Sequence, residues 1–153
     1  NCGMGLIIIV VLMSEEQEQQ VVEKYLFIIT PLEIKSNSKI KSSSRKSILI
    51  KLGNKTAKCS QLKSSVELEI EVLYSKTLHK YCPIKGIIKI YDVSEDGSEI
   101  ISCVGGFQTD ELLNQATSRI TLDKEIGTSK LKMDIHIINK TSKENKHPLE
   151  SKP

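Results

Sequence analysis

Three carboxylates recur at every second position, Glu67, Glu69 and Glu71, and together they could hold a cation or act as a general acid and base. Side chains two apart along a strand project in parallel, about 7 Å from one another. A solvated strand face opposite a lysine-bearing strand, such as the one around Lys132, explains the same spacing without a ligand. We assign these residues no catalytic or metal-binding role.

An acidic stretch with a glycine, Asp92 to Gly97, could form a calcium-binding hairpin tip, but turns are acidic for their own conformational reasons. The three histidines are scattered and no two cysteines have Cys-x-x-Cys spacing, so a zinc site is not indicated. No nucleophile-elbow, zinc-protease, Walker or dinucleotide-binding pattern occurs. The sequence therefore predicts a protein that is not an enzyme and needs no cofactor.

Four cysteines, Cys2, Cys59, Cys82 and Cys103, allow three full pairings. A predicted hairpin places residue 88 opposite Cys103 and leaves Cys82 about six residues further along, beyond disulfide reach. A bridge from Cys59 to Cys82 or Cys103 stays open, as do free thiols in a reducing compartment.

Composition limits the classes of partner. The chain has 153 residues, enough for one domain, with 4% aromatic residues and no Trp. A stacking platform for single-stranded nucleic acid is therefore not expected. The net charge of +3 is expected to be spread over the surface without a basic stripe. The cationic segment Lys35 to Lys46 is interpreted as a solvated loop.

The elements that would position all these residues are predicted to be strands. Apolar residues alternate with glutamates from Val66 to Tyr74, which is typical of a half-buried antiparallel strand. A second strand, Ile87 to Val93, is followed by the turn Ser94 to Gly97 and a return strand Ser98 to Val104. The pair Gly105-Gly106 is expected to end the hairpin.

Further strands are predicted at Val21 to Ile29, with Leu32 and Ile34 continuing beyond Pro31, and at Ile48 to Leu52 and Leu131 to Ile137. The segment Lys55 to Ser65, which holds Cys59, is predicted to be a loop. Asp110 to Ser118 is the one segment with helical character, and it is short.

The sequence PIKGIIKIYD, an acidic hairpin tip and then GFQTDELLNQAT occur in this order before a further apolar strand. This order resembles the immunoglobulin-like modules of bacterial invasins and intimins and the macroglobulin-like domains of complement-type proteins. The likeness covers about residues 64 to 138 and departs at Gln115, where a glycine is usual. It implies an all-β fold, an immunoglobulin-like antiparallel β-sandwich of about seven strands, with no catalytic residue.

An apolar run precedes this sandwich and forms an N-terminal strand extension. Its residues are Leu6, Ile7, Ile8, Ile9, Val10, Val11 and Leu12. The run is too short for a transmembrane helix, which needs about twenty residues. Three interpretations stay open: a signal-peptide remnant, a strand of this domain, or a strand donated to a neighbouring subunit.

The predicted organisation has three parts: residues 1–20 as apolar strand and polar linker, 21–139 as the sandwich, and 140–153 as a disordered polar tail. Two glycosylation sequons begin at Asn54 and Asn139, each at a predicted strand end. They suit an extracellular or cell-surface glycoprotein.

The function predicted from these features is a structural subunit of an extracellular filament or pilus, assembled by strand complementation. The partners would be copies of itself or another surface protein, with adhesion as the biological role, and no nucleic acid. The alternative is a protein-binding module of a larger secreted or surface protein.

Overall fold

The computed structural model describes residues 19–36, 45–115 and 117–141. These residues form strands almost throughout, with one short helix, because β-branched and leucine residues alternate with polar ones along most segments. The elements are β1 (Gln20–Ser36), β2 (Arg45–Leu52), β3 (Lys55–Cys59), β4 (Val66–Ser75), β5 (Lys80–Tyr81), β6 (Lys85–Val93), β7 (Glu99–Gln108), α1 (Thr109–Leu113), β8 (Arg119–Ile126) and β9 (Ser129–Asn139).

The strands form two antiparallel sheets that pack face to face. One sheet has five strands in the order β5-β4-β1-β9-β8, and the other has four in the order β3-β2-β6-β7. The residues between the sheets are almost all aliphatic, and the fully buried ones include Phe27, Ile50, Ile88 and Met133. The predicted all-β sandwich is therefore confirmed.

The immunoglobulin type is not confirmed. An immunoglobulin constant-type sandwich has seven strands, and its first strand lies beside its second. Here nine strands occur in the described parts of the chain, and β1 lies between β4 and β9 while β2 belongs to the other sheet. The shared sequence order indicates hairpins and turns, which many β-sandwiches have in common.

β1 lies at the centre of the five-stranded sheet. It pairs with β4 on one side and with β9 on the other. Pro31 is tolerated in this strand because pairing with β4 ends at Ile29 and the β9 register shifts between Pro31 and Glu33. The predicted continuation of this strand beyond Pro31, through Leu32 and Ile34, is therefore confirmed, and the strand ends at Ser36.

The alternation from Val66 to Tyr74 is confirmed as β4, whose apolar residues are buried and whose glutamates are exposed. The prediction of which strand lies opposite these glutamates was wrong. Glu69 and Glu71 lie opposite Leu26 and Lys24 of β1, not opposite the strand that carries Lys132.

The predicted hairpin forms from β6 and β7, and Gly97 has the positive φ of +87° that its turn requires. The predicted end at Gly105-Gly106 was wrong, because β7 runs through both glycines to Gln108. A Cβ on Gly105 would come within 2.8 Å of the Ile126 side chain, so glycine lets β8 pack closely here. The turn is one residue longer than predicted, because Val93 pairs with Glu99, and a bulge between Ile90 and Tyr91 shifts the register by one more residue. Ile90, and not residue 88, therefore faces Cys103.

Two further segments differ from prediction. Lys55–Cys59 is a strand and not a loop, since it pairs with β2 and buries Cys59 in the core. The helix α1 is only five residues long. Thr109 holds it against the chain before β6, because its backbone N–H donates to Ile84 O and its Oγ accepts from Ile84 N, each at 3.0 Å.

The strand run Leu6 to Leu12, the loop residues 37–44 and the tail beyond residue 141 lie outside the described residues. The alternatives for the N-terminal run therefore remain predictions.

A substitution at Gly86 can test how tightly β6 packs against β7. A Cβ at this position would meet the ring of Phe107 at 2.6 Å. We expect Gly86→Ala to lower the free energy of unfolding by about 1–3 kcal/mol through overpacking, measured by chemical denaturation. Phe107→Leu should relieve the clash, so the double variant should be more stable than the sum of the single effects predicts. Additive effects would contradict this account.

Candidate docking surface

The outer face of the four-stranded sheet carries the alternate residues that do not enter the core. Side chains alternate between the two faces of the sheet along each strand. The pairing register therefore shows which residues of neighbouring strands share the outer face. We call this surface the basic face. Its residues are Arg45, Ser47, Leu49 and Lys51 of β2, Thr56 and Lys58 of β3, Lys85, Ile87, Lys89, Tyr91 and Val93 of β6, and Glu99, Ile101, Val104, Gly106 and Gln108 of β7.

The charges on this face are mostly of one sign. Five side chains are basic and one, Glu99, is acidic, which gives a formal charge of +4. Glu99 accepts a hydrogen bond from Lys58 Nζ at 2.6 Å, and Ser47 Oγ lies 3.4 Å from it. The other four basic side chains form no ion pair with any residue that the structure describes.

Apolar side chains lie between these cations. Leu49, Ile87 and Tyr91 are half-buried in the sheet surface, and Ile101 and Val104 are about half exposed, at 51% and 50%. Lys58 Nζ lies 5.3 Å from the Tyr91 ring centroid, within cation–π range. The face is therefore flat, partly apolar and cationic.

The outer face of the five-stranded sheet has the opposite balance. Its acidic residues are Glu33, Glu67, Glu69, Glu71, Asp123, Glu125 and Asp134, and its basic residues are Lys24, Lys35, Lys80, Arg119, Lys130 and Lys132. The formal charge is −1 with histidine neutral. The prediction that charge is spread without a basic stripe was therefore wrong. The sequence contains a signal for this basic face that was missed. Lysines share alternate positions with apolar residues in Leu49-x-Lys51 of β2 and in Lys85-x-Ile87-x-Lys89 of β6.

A hydrogen-bonded tyrosine cluster closes one end of the sandwich. The Tyr25 hydroxyl donates to Glu23 Oε1. The Tyr81 hydroxyl lies 2.5 Å from the Tyr25 oxygen, to which it can donate, and 3.1 Å from Glu23 Oε1. The ring of Tyr81 also makes edge contacts with those of Tyr25 and Tyr74. Burial, with the neighbouring Glu23 carboxylate, raises the pKa of Tyr25 well above its usual range, and burial also raises the pKa of Tyr81. These phenols therefore act as neutral structural groups.

The three candidate disulfide residues are free thiols in the structure. Cys59 and Cys103 lie in one row across the four-stranded sheet, with Ile48 and Ile90 between them. Three strand spacings separate their Cα atoms by about 14 Å, twice the reach of a disulfide. Cys82 precedes β6 beyond the opposite end of these strands from Cys59. The structure therefore contains no disulfide from Cys59 to Cys82 or to Cys103, the two bridges that the sequence allowed.

Cys103 is the thiol with a polar environment. Its Sγ lies 3.3 Å from Ser129 Oγ, with the hydroxyls of Ser102 and Thr128 further away. Burial alone would raise the pKa of this thiol, but the three hydroxyls stabilise its thiolate and lower the pKa overall. The side chain is only 5% exposed, which limits its access to solvent.

The two sequon asparagines lie apart from the basic face. Asn54 is exposed in the β2–β3 turn, and Asn139 ends β9, where its side chain accepts a hydrogen bond from Thr141 N. A cleft of about 380 Å³ in the described part of the chain is lined by Lys24 and Lys55 together with Glu69 and other residues. It gathers both charge signs and no histidine or cysteine.

Among residues 19–36, 45–115 and 117–141, no group of three or more His, Cys, Asp and Glu side chains could hold a metal ion. The same residues include no helix that is long and apolar enough to cross a membrane.

Comparisons with known proteins give a likeness of fold. No protein-family model matches the chain, and no curated protein matches its sequence. The chain is similar to part of a human GIVD cytosolic phospholipase A2 structure, with TM-score 0.48 and 11% identity over 79% of this chain and 18% of the other. It is also similar to Extended-Synaptotagmin 2 C2A- and C2B-domains, with TM-score 0.48 and 14% identity over 78% of this chain and 43% of the other.

A third similar structure is the C2A domain of plant Extended Synaptotagmin 1, with TM-score 0.45 and 13% identity over 80% of this chain and 98% of that domain. The chain spans less than half the length of the phospholipase and of the two-domain synaptotagmin structure. At these identities and TM-scores the likeness concerns the β-sandwich alone.

The predicted filament subunit and its extracellular location were wrong. The similar solved structures reported above are C2 domains and a cytosolic phospholipase. The sequence order quoted above indicates β-hairpins of a general sandwich. The adhesion role was part of that predicted function and loses its support with it. The glycan sites at Asn54 and Asn139 were inferred from their sequons and remain predictions.

The tyrosine cluster predicts a loss of stability in alkali. A phenol whose pKa is raised by folding stabilises the fold fully below its unfolded pKa of about 10 and loses that contribution as pH rises above it. For Tyr25 the free energy of unfolding should fall by about 1.4 kcal/mol per pH unit above pH 10. Tyr25→Phe should remove this part of the slope in denaturation curves at pH 8 to 11. Parallel curves for the two proteins would contradict the assignment.

Proposed function

We propose that this domain is a non-catalytic binding module whose basic face docks an acidic surface of a protein partner. The observation that carries the proposal is the charge separation between the two sheets, with +4 on the outer face of one and −1 on the other. Complementary potentials speed association and select the face that meets the partner.

The free cations supply the electrostatic part of the interaction. Lys51 is exposed and Lys89 half-buried, and each lies beside an apolar neighbour, since Lys51 pairs with Ile87 and Lys89 with Val104. Neither has an intramolecular anionic partner among the described residues. A partner carboxylate can therefore approach without displacing an existing ion pair.

The apolar residues favour a protein partner over a membrane. An amphipathic surface that binds lipid buries its apolar side chains several ångströms below the headgroups. Leu49, Ile87 and Tyr91 are half-buried within a flat sheet, so they suit the complementary surface of another protein. An aromatic residue and aliphatic residues inside a polar rim are typical of such an interface.

The description of the domain as non-catalytic is part of the proposal. It is supported by the exposure of the ionisable residues in one described cleft, where Lys55, Glu69 and Glu71 are solvated strand residues and are not enclosed in a pocket. The buried phenols of Tyr25 and Tyr81 are also held in their neutral form.

Charge reversal on the basic face tests the proposal. Poly-L-glutamate serves as a probe of an acidic polypeptide, and binding is measured by titration calorimetry at low and at physiological salt. We expect the double variant Lys51→Glu/Lys89→Glu to bind at least about tenfold more weakly, because it removes the positive charge of the face. Arg119→Glu/Lys130→Glu changes the net charge equally on the other sheet and should bind more tightly than the first variant.

Vesicles of phosphatidylserine and phosphatidylcholine are titrated in parallel. Binding of vesicles but not of poly-L-glutamate would overturn the proposal in favour of an anionic membrane. Equal losses in the two double variants would show that net charge acts without a specific face, which also contradicts it.

A further inference from the structure

The second edge of β7 has no strand partner in the described structure. β7 pairs with β6 alone and ends the four-stranded sheet. An unpaired edge presents backbone N–H and C=O groups that another strand can pair with, and proteins usually protect such edges by shortness, charge or proline.

The other three edges of the two sheets have such protection. β5 has two residues, and β3 has five, of which two are lysines. β8 has four charged side chains in its sequence RITLDKEI. β7 has ten residues, EIISCVGGFQ, with Glu99 at its start as the one charge, and Lys58 already pairs with that charge.

The exposed side chains of β7 are apolar as well. Ile100, Ile101 and Val104 are 67%, 51% and 50% exposed. A bulge lies between Ile101 and Cys103, after which the run Cys103–Gln108 is uncharged and regularly paired with β6. Gly106 is exposed within this run, so no side chain prevents another backbone from approaching it.

We propose that the β7 edge accepts an extended segment of the partner as an added strand. Its acidic residues would lie on the basic face, beside Ile101 and Val104, and its branched apolar residues would lie on the other side, in the row of Cys103 and Phe107. This inference rests on the proposed function and names the form in which the partner binds. Strand addition supplies main-chain hydrogen bonds for affinity, and alternate side chains supply the specificity.

Charge complementarity indicates that the strand added at the β7 edge is an acidic segment of the partner. A strand added beside Val104 would lie two strand spacings, about 10 Å, from the backbone of Lys89. That distance lets a glutamate on the outer side of the added strand meet the lysine ammonium. A second copy of this chain paired through β7 would instead place two basic faces side by side, which like-charge repulsion disfavours.

The test compares two peptides with equal numbers of carboxylates, one of alternating valine and glutamate and the other of glutamate alone. We expect the alternating peptide to bind about tenfold more tightly and to protect the amides of Cys103–Gln108 from hydrogen exchange. The same peptide with alternate backbone nitrogens methylated along its pairing edge should lose this advantage, because it cannot donate to β7.

Val104→Lys adds a cation to the basic face beside the carboxylates of the added strand, so it should tighten binding of the alternating peptide about threefold more than binding of the glutamate peptide. Val22→Lys is the matched control, since Val22 is equally exposed at 50% but lies on β1 of the other sheet. Its binding should match that of the unmodified protein.

The outcomes separate the two proposals. Equal binding of both peptides, with an equal effect of Val104→Lys on each and a loss with Lys51→Glu/Lys89→Glu, would overturn strand addition while the basic face remains a docking surface. Absence of binding by either peptide would overturn both. A dimer in sedimentation that Val104→Lys dissociates would show that a second copy occupies the edge, and would also overturn the inference.

Discussion

The backbone pairing of β1 on both of its edges is the constraint on which the rest of the structure depends. Because β4 and β9 both pair with it, Phe27 and Ile29 are held at 0% exposure beneath the opposite sheet. With β1 in place, the register of its neighbours follows, and a one-residue slip would turn every apolar side chain of a neighbouring strand towards water. The assignment of residues to the core or to an outer face therefore depends on this strand.

The two outer faces differ in charge because packing in the core does not determine which polar residues occupy the outer positions of each strand. The inner positions are constrained by packing, whereas lysine, glutamate or a small polar residue fits an outer position equally well. In β2, β3 and β6 these outer positions are occupied by cations, and in β4 by the three glutamates. Folding stability does not require the resulting charge separation between the two faces. The separation is therefore evidence about the surface of a binding partner.

The sequence predicted the elements better than their assembly. Alternation at Val66 to Tyr74 located β4, and Asp-Gly located the β6–β7 turn, because both signals are local. The strand order and the basic face were missed because each depends on contacts distant in sequence. Gly105-Gly106 was misread as a strand end for a related reason, since the close approach of Ile126 is visible only in the folded chain.

The opposite charges of the two outer faces also have a colloidal consequence. Because the sheets are stacked, the separation gives the described domain an electric dipole moment roughly normal to its layers. At low ionic strength, molecules of this kind attract one another with unlike faces together, although their net charge is positive. Added electrolyte screens that attraction within about 10 Å at 0.1 M, so the domain should dissolve more readily in moderate salt than in pure water.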